Sequence, residues 1–203
     1  MMKTLLLGVA LTSSVLAQTQ YSPYLSISGG GSFPMDSEIY SSGAKVGEVK
    51  YDSGGVIEGA VGIKIDQNLG SGPFFRVELA GFYEQNDIES INESGVQTPV
   101  ERGEVRVGTL LLNGYIDIPL GRGFTPYLLG GLGYARVLID VDSDNSNHNK
   151  FSGQVGAGIG YSLTEHLILD LKYKYFMVER FDIGDERLKL SSNQLLLGLR
   201  YEF

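Results

Sequence analysis

Leu195-Leu196-Leu197-Gly198-Leu199-Arg200-Tyr201-Glu202-Phe203 alternates with a period of two. Leu195, Leu197, Leu199, Tyr201 and Phe203 form one set, all apolar; Leu196, Gly198, Arg200 and Glu202 form the other, mostly polar or small. Successive side chains of a strand point to opposite faces, so this stretch is a strand with one continuous apolar face. So regular an apolar face suits a strand with lipid on one side. An edge strand of a soluble sandwich is the competing reading.

The same alternation recurs upstream, and turn residues divide the chain into eight segments. They are residues 23–31, 56–65, 73–84, 104–118, 125–137, 151–163, 167–178 and the C-terminal stretch. In 56–65, Ile57, Val61, Ile63 and Ile65 oppose Glu58, Ala60, Gly62 and Lys64. In 73–84, Phe75, Val77, Leu79 and Tyr83 oppose Arg76, Glu78, Ala80 and Glu84, and in 167–178 Leu167, Leu169, Leu171, Tyr173, Tyr175 and Met177 oppose Asp170, Lys172 and Lys174. The connections sort by length: 66–72, 119–123 and 164–166 are short, whereas 32–55, 85–103, 138–150 and 179–189 are long. An even number of strands with alternately short and long connections predicts an all-β fold, an eight-stranded antiparallel transmembrane β-barrel in meander order. Its short turns are expected in the periplasm and its long loops outside the cell. Two segments resist the pattern. In 104–118, Val105 and Val107 share one face while Leu110, Leu112, Ile116 and Ile118 share the other, which predicts a β-bulge near Gly108. The run from Tyr127 to Tyr134 is apolar on both faces, and alternation does not orient it.

At the N-terminus, Met1-Met2-Lys3 precedes an apolar core over 5–11, and Val15-Leu16-Ala17 supplies a cleavage site. This predicts a signal peptide over 1–17 and a barrel domain over 18–203. No apolar run after residue 17 is long enough for a membrane helix. The chain has no cysteine, which excludes disulfides and a lipid-modified N-terminus. A net charge of −8 argues against nucleic acid as a partner. Trp is absent and Tyr numbers 12, so any aromatic girdle rests on Tyr and Phe.

The inward set, Glu58, Lys64, Arg76, Glu78, Glu84, Asp170, Lys172, Lys174 and Arg200, carries both signs of charge. These residues could line a pore or pair into a plug. An eight-stranded interior is just wide enough for side chains to fill it, and an unpaired buried charge is costly, so a plug is expected. Glu58, Glu78, Glu84 and Asp170 are expected to meet Arg76, Lys172, Lys174 and Arg200, with glycines opposite making room. No metal, cofactor or catalytic residue is predicted. Asp140, Asp142 and Asp144 have the spacing of a calcium loop, but Asn145 stands at the turn-glycine position and Phe151 where a glutamate is needed. His148, near Ser143, Asp144 and Ser146, lies in a long loop and His166 in a short turn, with no scaffold for catalysis. Gly29-Gly30-Gly31 opens no helix and is no phosphate loop. Segment 32–55 carries Phe33, Met35, Ile39, Tyr40, Val46 and Tyr51, and segment 85–103 carries Ile88, Ile91 and Val96. Such residues anchor a partner or pack the loops on one another.

Leu110-Leu111-Leu112-Asn113-Gly114-Tyr115-Ile116-Asp117, followed by Thr125-Pro126-Tyr127-Leu128-Leu129-Gly130-Gly131-Leu132-Gly133-Tyr134, resembles the opacity-like porin family. These are small outer-membrane β-barrels of Gram-negative bacteria, similar in fold to the membrane domain of OmpA, and they include surface antigens. The resemblance implies an eight-stranded barrel with variable surface loops and no single activity. It implies a structural or surface-interaction role, adhesin- or antigen-like, with a small passive porin as the alternative. The expected partners are outer-membrane lipids and lipopolysaccharide, the outer-membrane assembly machinery, and a host or surface ligand, and the barrel is expected to be a monomer. No cell-wall-binding domain is expected. The terminal strand is similar to the signal the assembly machinery reads, which assigns Leu199, Tyr201 and Phe203 to assembly. Replacing Phe203 and Tyr201 together by Ala should reduce the heat-shifted, membrane-inserted form on gels and increase degradation. Unchanged insertion would remove the assembly role.

Overall fold

The computed structural model describes residues 19–203 apart from 36, 42, 43, 68–71, 94, 95, 100–102, 142, 143, 180, 184, 185 and 189. The predicted signal peptide lies outside the described residues. Eight long strands dominate: β1 (Gln20–Pro34), β2 (Gly54–Asp66), β3 (Phe74–Glu93), β4 (Gly103–Asp117), β5 (Phe124–Val141), β6 (Asp144–Ser162), β7 (Leu167–Val178) and β8 (Ser191–Glu202). Each pairs antiparallel with its sequence neighbour, and β1 pairs with β8, with Leu25 opposite Tyr201 and Gly29 opposite Leu197. The ring is therefore closed. Closure leaves no unpaired sheet edge, the condition for a β protein in hydrocarbon.

Alternation fixes what each face meets. Ile27, Ile57, Val61, Leu79, Leu112, Leu128, Leu132, Val155, Leu171, Leu197 and Leu199 are exposed on the outer wall. In water so large an apolar surface would be a liability, and in lipid it is the required one. Aromatic rings flank it. Phe124 and Tyr161 meet at 4.8 Å, and Tyr201 lies between His166 at 5.9 Å and Phe203 at 5.1 Å, at the end where residues 118–123 and 163–166 connect strands. Toward the other end Tyr134 meets Phe151 at 5.9 Å. The turn at 118–123 takes positive φ at Gly121, Arg122 and Gly123, and Arg122 is the one non-glycine there.

The two irregular segments resolve without irregularity. Pairing runs unbroken through Gly108, which faces Tyr83 on one side and Arg136 on the other, so the expected β-bulge is absent. Val105 and Val107 instead point inward with Leu111 and Tyr115. The interior takes apolar residues where the long-connection end begins: Val105, Val107, Phe176, Val178 and Leu190 line a cavity of about 20 Å³ together with Glu84, Asn86, Ser191 and Ser192. In β5, Tyr127 and Leu129 face inward, and Leu128, Leu132 and Tyr134 face out.

The long connections are largely strand. β3, β5 and β6 hold 20, 18 and 19 residues, against about 9–11 for a tilted transmembrane strand. β5 and β6 stay paired to Val141 opposite Asp144, so Asp140 and Asp144 belong to a hairpin, and Asp142 lies outside the described residues. The outer half of β3 pairs with Ala44–Tyr51 and Val96–Pro99. Ala44–Tyr51 pairs with Ser37–Ser41, which pairs with Glu186–Leu188 and through it Phe181–Ile183. Three connections thus merge into one projecting sheet. The side chains of Ile39, Tyr40, Val46, Tyr51, Ile88, Ile91, Val96 and His148 lie outside the described residues; Phe33 and Met35 are exposed at the end of β1.

An arginine forced into mid-bilayer measures this placement. Leu197→Arg, at the middle of β8, should destabilise the barrel by about 2–4 kcal/mol, and Leu120→Arg, in the 118–123 turn, by about 0–1 kcal/mol. Reversible denaturant unfolding from lipid vesicles reads both.

Candidate functional site: the charged lumen

The inward faces bring together most of the charges picked out in the sequence, together with others. Glu58 of β2 accepts from Lys172 Nζ at 2.6 Å and from Lys174 Nζ, both on β7. Lys174 is fully buried, and its ammonium lies 4.6 Å from the centroid of Phe82, which packs edge-on to Phe176. Arg200 pairs with Asp170 at 3.1 Å and with Glu202, and Lys64 reaches Glu202 at 3.3 Å. Arg76 pairs with Asp117 at 2.8 Å. Its guanidinium stands over Tyr115 at 4.1 Å, Tyr127 at 4.9 Å and Tyr24 at 5.6 Å, a cage in which the ring faces stabilise the cation.

Glu78 and Glu84 differ from expectation. Among the described residues neither has an ion pair. Glu78 accepts from Tyr115 Oη at 2.6 Å, Tyr24 Oη at 3.0 Å and Asn113 Nδ2 at 3.1 Å. Glu84 accepts from Ser32 Oγ and Gln194 Nε2 at 2.5 Å, Asn86 Nδ2 at 2.8 Å and Ser192 Oγ at 3.1 Å. A buried carboxylate needs its lone pairs filled, and neutral hydroxyls and amides do this when the register puts them closer than a cation. The glycines make room chiefly for aromatic and amide groups. A side chain at Gly62 would strike the Tyr24 ring, one at Gly158 the Tyr127 ring, and one at Gly131 the Asn113 amide.

Asp117, Glu202 and the three tyrosines of the cage were absent from the sequence-derived set. Their signal was parity: Asp117 follows Tyr115 and Asn113 on one face of β4, and Glu202 follows Arg200 on β8. His166 sits in the 163–166 turn, where its Nδ1 donates to the Glu202 carbonyl at 2.9 Å and its ring stacks on Tyr201. Three of these contacts cross the place where the first and last strands meet. Lys64–Glu202, Glu58 with Lys172 and Lys174, and Glu84 with Ser192 and Gln194 join β2 or β3 to β7 or β8 from inside, at three heights along the lumen.

The profile of the outer membrane protein beta-barrel domain matches residues 4–203. The chain belongs to that family. It is an outer-membrane protein, like its relatives. It is 29% identical over 124 residues to the outer membrane protein PagN of Salmonella typhimurium, covering 50% of this chain and 52% of that protein. The chain spans about half the length of the curated relatives it matches. Neisserial surface protein A superposes with a TM-score of 0.57 at 16% identity, covering 91% of this chain and 99% of the other. The outer-membrane protease OmpT of Escherichia coli superposes with a TM-score of 0.54 at 9% identity, covering 90% and 97%. At these identities both show the fold alone.

Glu58 is the member with most to lose. Glu58→Gln leaves Lys172 and Lys174 facing each other without an acid, and should destabilise the barrel by about 3–5 kcal/mol. Lys172→Met keeps the Glu58–Lys174 pair and should lose less. The two unfolding free energies in vesicles decide the order.

Proposed function

We propose that this chain is exported by way of residues 1–17 and that residues 18–203 form a monomeric, closed outer-membrane barrel. Its work is done by the projecting sheet, in a structural and surface-interaction role of the adhesin or antigen kind. The assembly machinery reads Leu199, Tyr201 and Phe203. The short connections then lie in the periplasm and the projecting sheet outside the cell, facing lipopolysaccharide and a host or surface ligand. The reading rests on one observation: the sheet continues well past the length a bilayer requires, and three connections pair into one surface. Ordering that much backbone has a large entropic cost, which a merely connecting loop has no reason to meet.

The lumen supports a plug in place of a pore. Glu58, Arg76, Lys174 and Arg200 are buried, and the cavity among Arg76, Glu78, Asp170, Lys172 and Arg200 is about 10 Å³, room for about one water. No observation favours the passive porin. The chain is read as non-catalytic, because His166 is engaged with the Glu202 carbonyl and Tyr201.

Replacing residues 37–51 and 181–188 by short turns should leave heat-modifiable migration intact and abolish the adhesion that the full chain confers on non-adherent cells. Equal adhesion by the shortened barrel would overturn the surface reading. In planar bilayers the full chain should give only small, rare openings, and a large, stable, ohmic conductance would establish the porin in its place.

A further inference from the structure

The projecting sheet follows the order of the barrel beneath it. Ser37–Ser41 carries on from β1, Ala44–Tyr51 leads into β2, and Phe181–Ile183 and Glu186–Leu188 stand between β7 and β8. Almost every piece is paired with the next. Ser37–Ser41 pairs with Ala44–Tyr51, which pairs with β3; β3 pairs with β4, β4 with β5, and β5 with β6 as far as Asp144. In the other direction Ser37–Ser41 pairs with Glu186–Leu188, and that piece with Phe181–Ile183. One step is missing. β6 and β7 are paired up to Ser152 opposite Val178, and one further bond runs from the Glu179 N–H to the Phe151 carbonyl at 2.8 Å. Beyond it, among the described residues, Asp144–Lys150 is paired on its β5 side alone and Phe181–Ile183 on its Glu186–Leu188 side alone. The sheet is thus closed within the bilayer and open past it, at a slot bordered by these two edges.

The β6 edge is in bonding order. Phe151 gives its carbonyl to Glu179, so its main-chain groups point away from β5. Alternation along an antiparallel ladder puts Asn149, Asn147 and Asn145 in the same phase. Their N–H and C=O groups therefore point into the slot. β5 and β6 stay in register without a bulge to Val141 opposite Asp144, and no proline stands between Asp144 and Lys150. Bulges and prolines are what natural proteins use to blunt an edge strand, and this edge has neither.

We propose that the slot accepts an extended basic peptide segment of a partner protein, added to β6 as an antiparallel strand. The two edges select the occupant. β6 is covered on its far side by β5, and Phe181–Ile183 by Glu186–Leu188. A strand entering between them must come alone, because one with a neighbour of its own brings that neighbour onto the facing edge. A second copy of the chain fails on this count, since its β6 edge arrives with β5 attached. β6 runs toward the short-turn end and Phe181–Ile183 continues β7 in the opposite sense, so the entering strand is antiparallel to one edge and parallel to the other. Antiparallel pairing is the stronger per residue, and it goes to the longer edge, Asp144–Lys150. Charge selects the sign. Segments 138–150 and 179–189, which border the slot, hold seven acidic residues against four basic ones, so a basic segment is attracted and an acidic one repelled. Strand addition draws its affinity from main-chain bonds, and the partner is recognised by extension and charge. That this partner is extracellular rests on the surface role proposed above; the slot and its bonds do not.

The test uses the full chain in phosphatidylcholine nanodiscs. The probe is a fluorescent peptide of alternating lysine and valine, as long as the Asp144–Lys150 edge. One peptide per barrel is expected to bind, and isotope-labelled peptide carbonyls should show the infrared band of a paired strand. The same peptide methylated at every amide nitrogen has no donors and should bind about 10-fold more weakly or worse, a control that needs no variant. Asn147→Pro with Asn149→Pro removes two N–H groups that face the slot and none that face β5. Heat-modifiable migration should stay unchanged and binding should fall by about the same factor. Failure of the lysine peptide to bind, or equal binding of the methylated peptide or by the folded double variant, would overturn the proposal. Equal binding of a glutamate-valine peptide would overturn the basic assignment. Pairing of barrels with one another without peptide, abolished by the same prolines, would give the slot to a second copy instead. Adhesion is read separately: a chain that binds the peptide yet confers no adhesion overturns the surface role and leaves the slot.

Discussion

Hydrocarbon offers no partner to a peptide group, and this structure follows from that constraint. Every backbone donor and acceptor within the bilayer must be used inside the sheet, so the sheet has to close, and β1 must find β8. Closing eight strands fixes a narrow interior. A narrow interior cannot hydrate long charged side chains, so they must pair, or be met by hydroxyls and amides, as they are around Glu58, Arg76, Glu78 and Glu84. The apolar exterior and the polar interior therefore have one cause, acting on the two faces of the same strands.

The exterior half of the fold was legible because lipid tolerates few exceptions. Leu195, Leu197, Leu199 and Tyr201 on β8, or Phe75, Val77 and Leu79 on β3, announce their face by alternation alone. The interior has no such rule. It accepts valine and phenylalanine near the long-connection end, which is why Val105 and Val107 looked out of phase and suggested a bulge that the pairing does not contain. It accepts tyrosine and leucine, which hid the orientation of β5 until Tyr127 was seen packed on Tyr115.

Partners in the lumen were not legible for a different reason. Which acid meets which base depends on register and on the stagger of the closed ring, neither of which one sequence encodes in a readable form. Glu84 is seen beside Ser32 and Gln194 only once β1, β3 and β8 are in register. The projecting sheet was hidden as well. Beyond the bilayer, polar and apolar residues mix freely, and the periodicity that marks a lipid-facing strand is lost.

The inside contacts across the β1–β8 seam have a consequence for how the molecule is completed. Glu58, Lys64 and Glu84 belong to strands made early in the chain; Lys172, Lys174, Gln194 and Glu202 belong to strands made late, with separations of 114 and 116 residues for the two Glu58 bonds and 110 for Glu84 with Gln194. The early strands thus hold the template against which the late ones are proofread. A terminal strand that docks out of step by two residues still presents leucines to lipid, so the membrane itself does not detect the error. The acids do, because in that arrangement Glu58 keeps at most one of Lys172 and Lys174, Glu84 at most one of Ser192 and Gln194, and the Lys64–Glu202 pair is parted. The polar interior of this barrel is a lock on the register of its own closure.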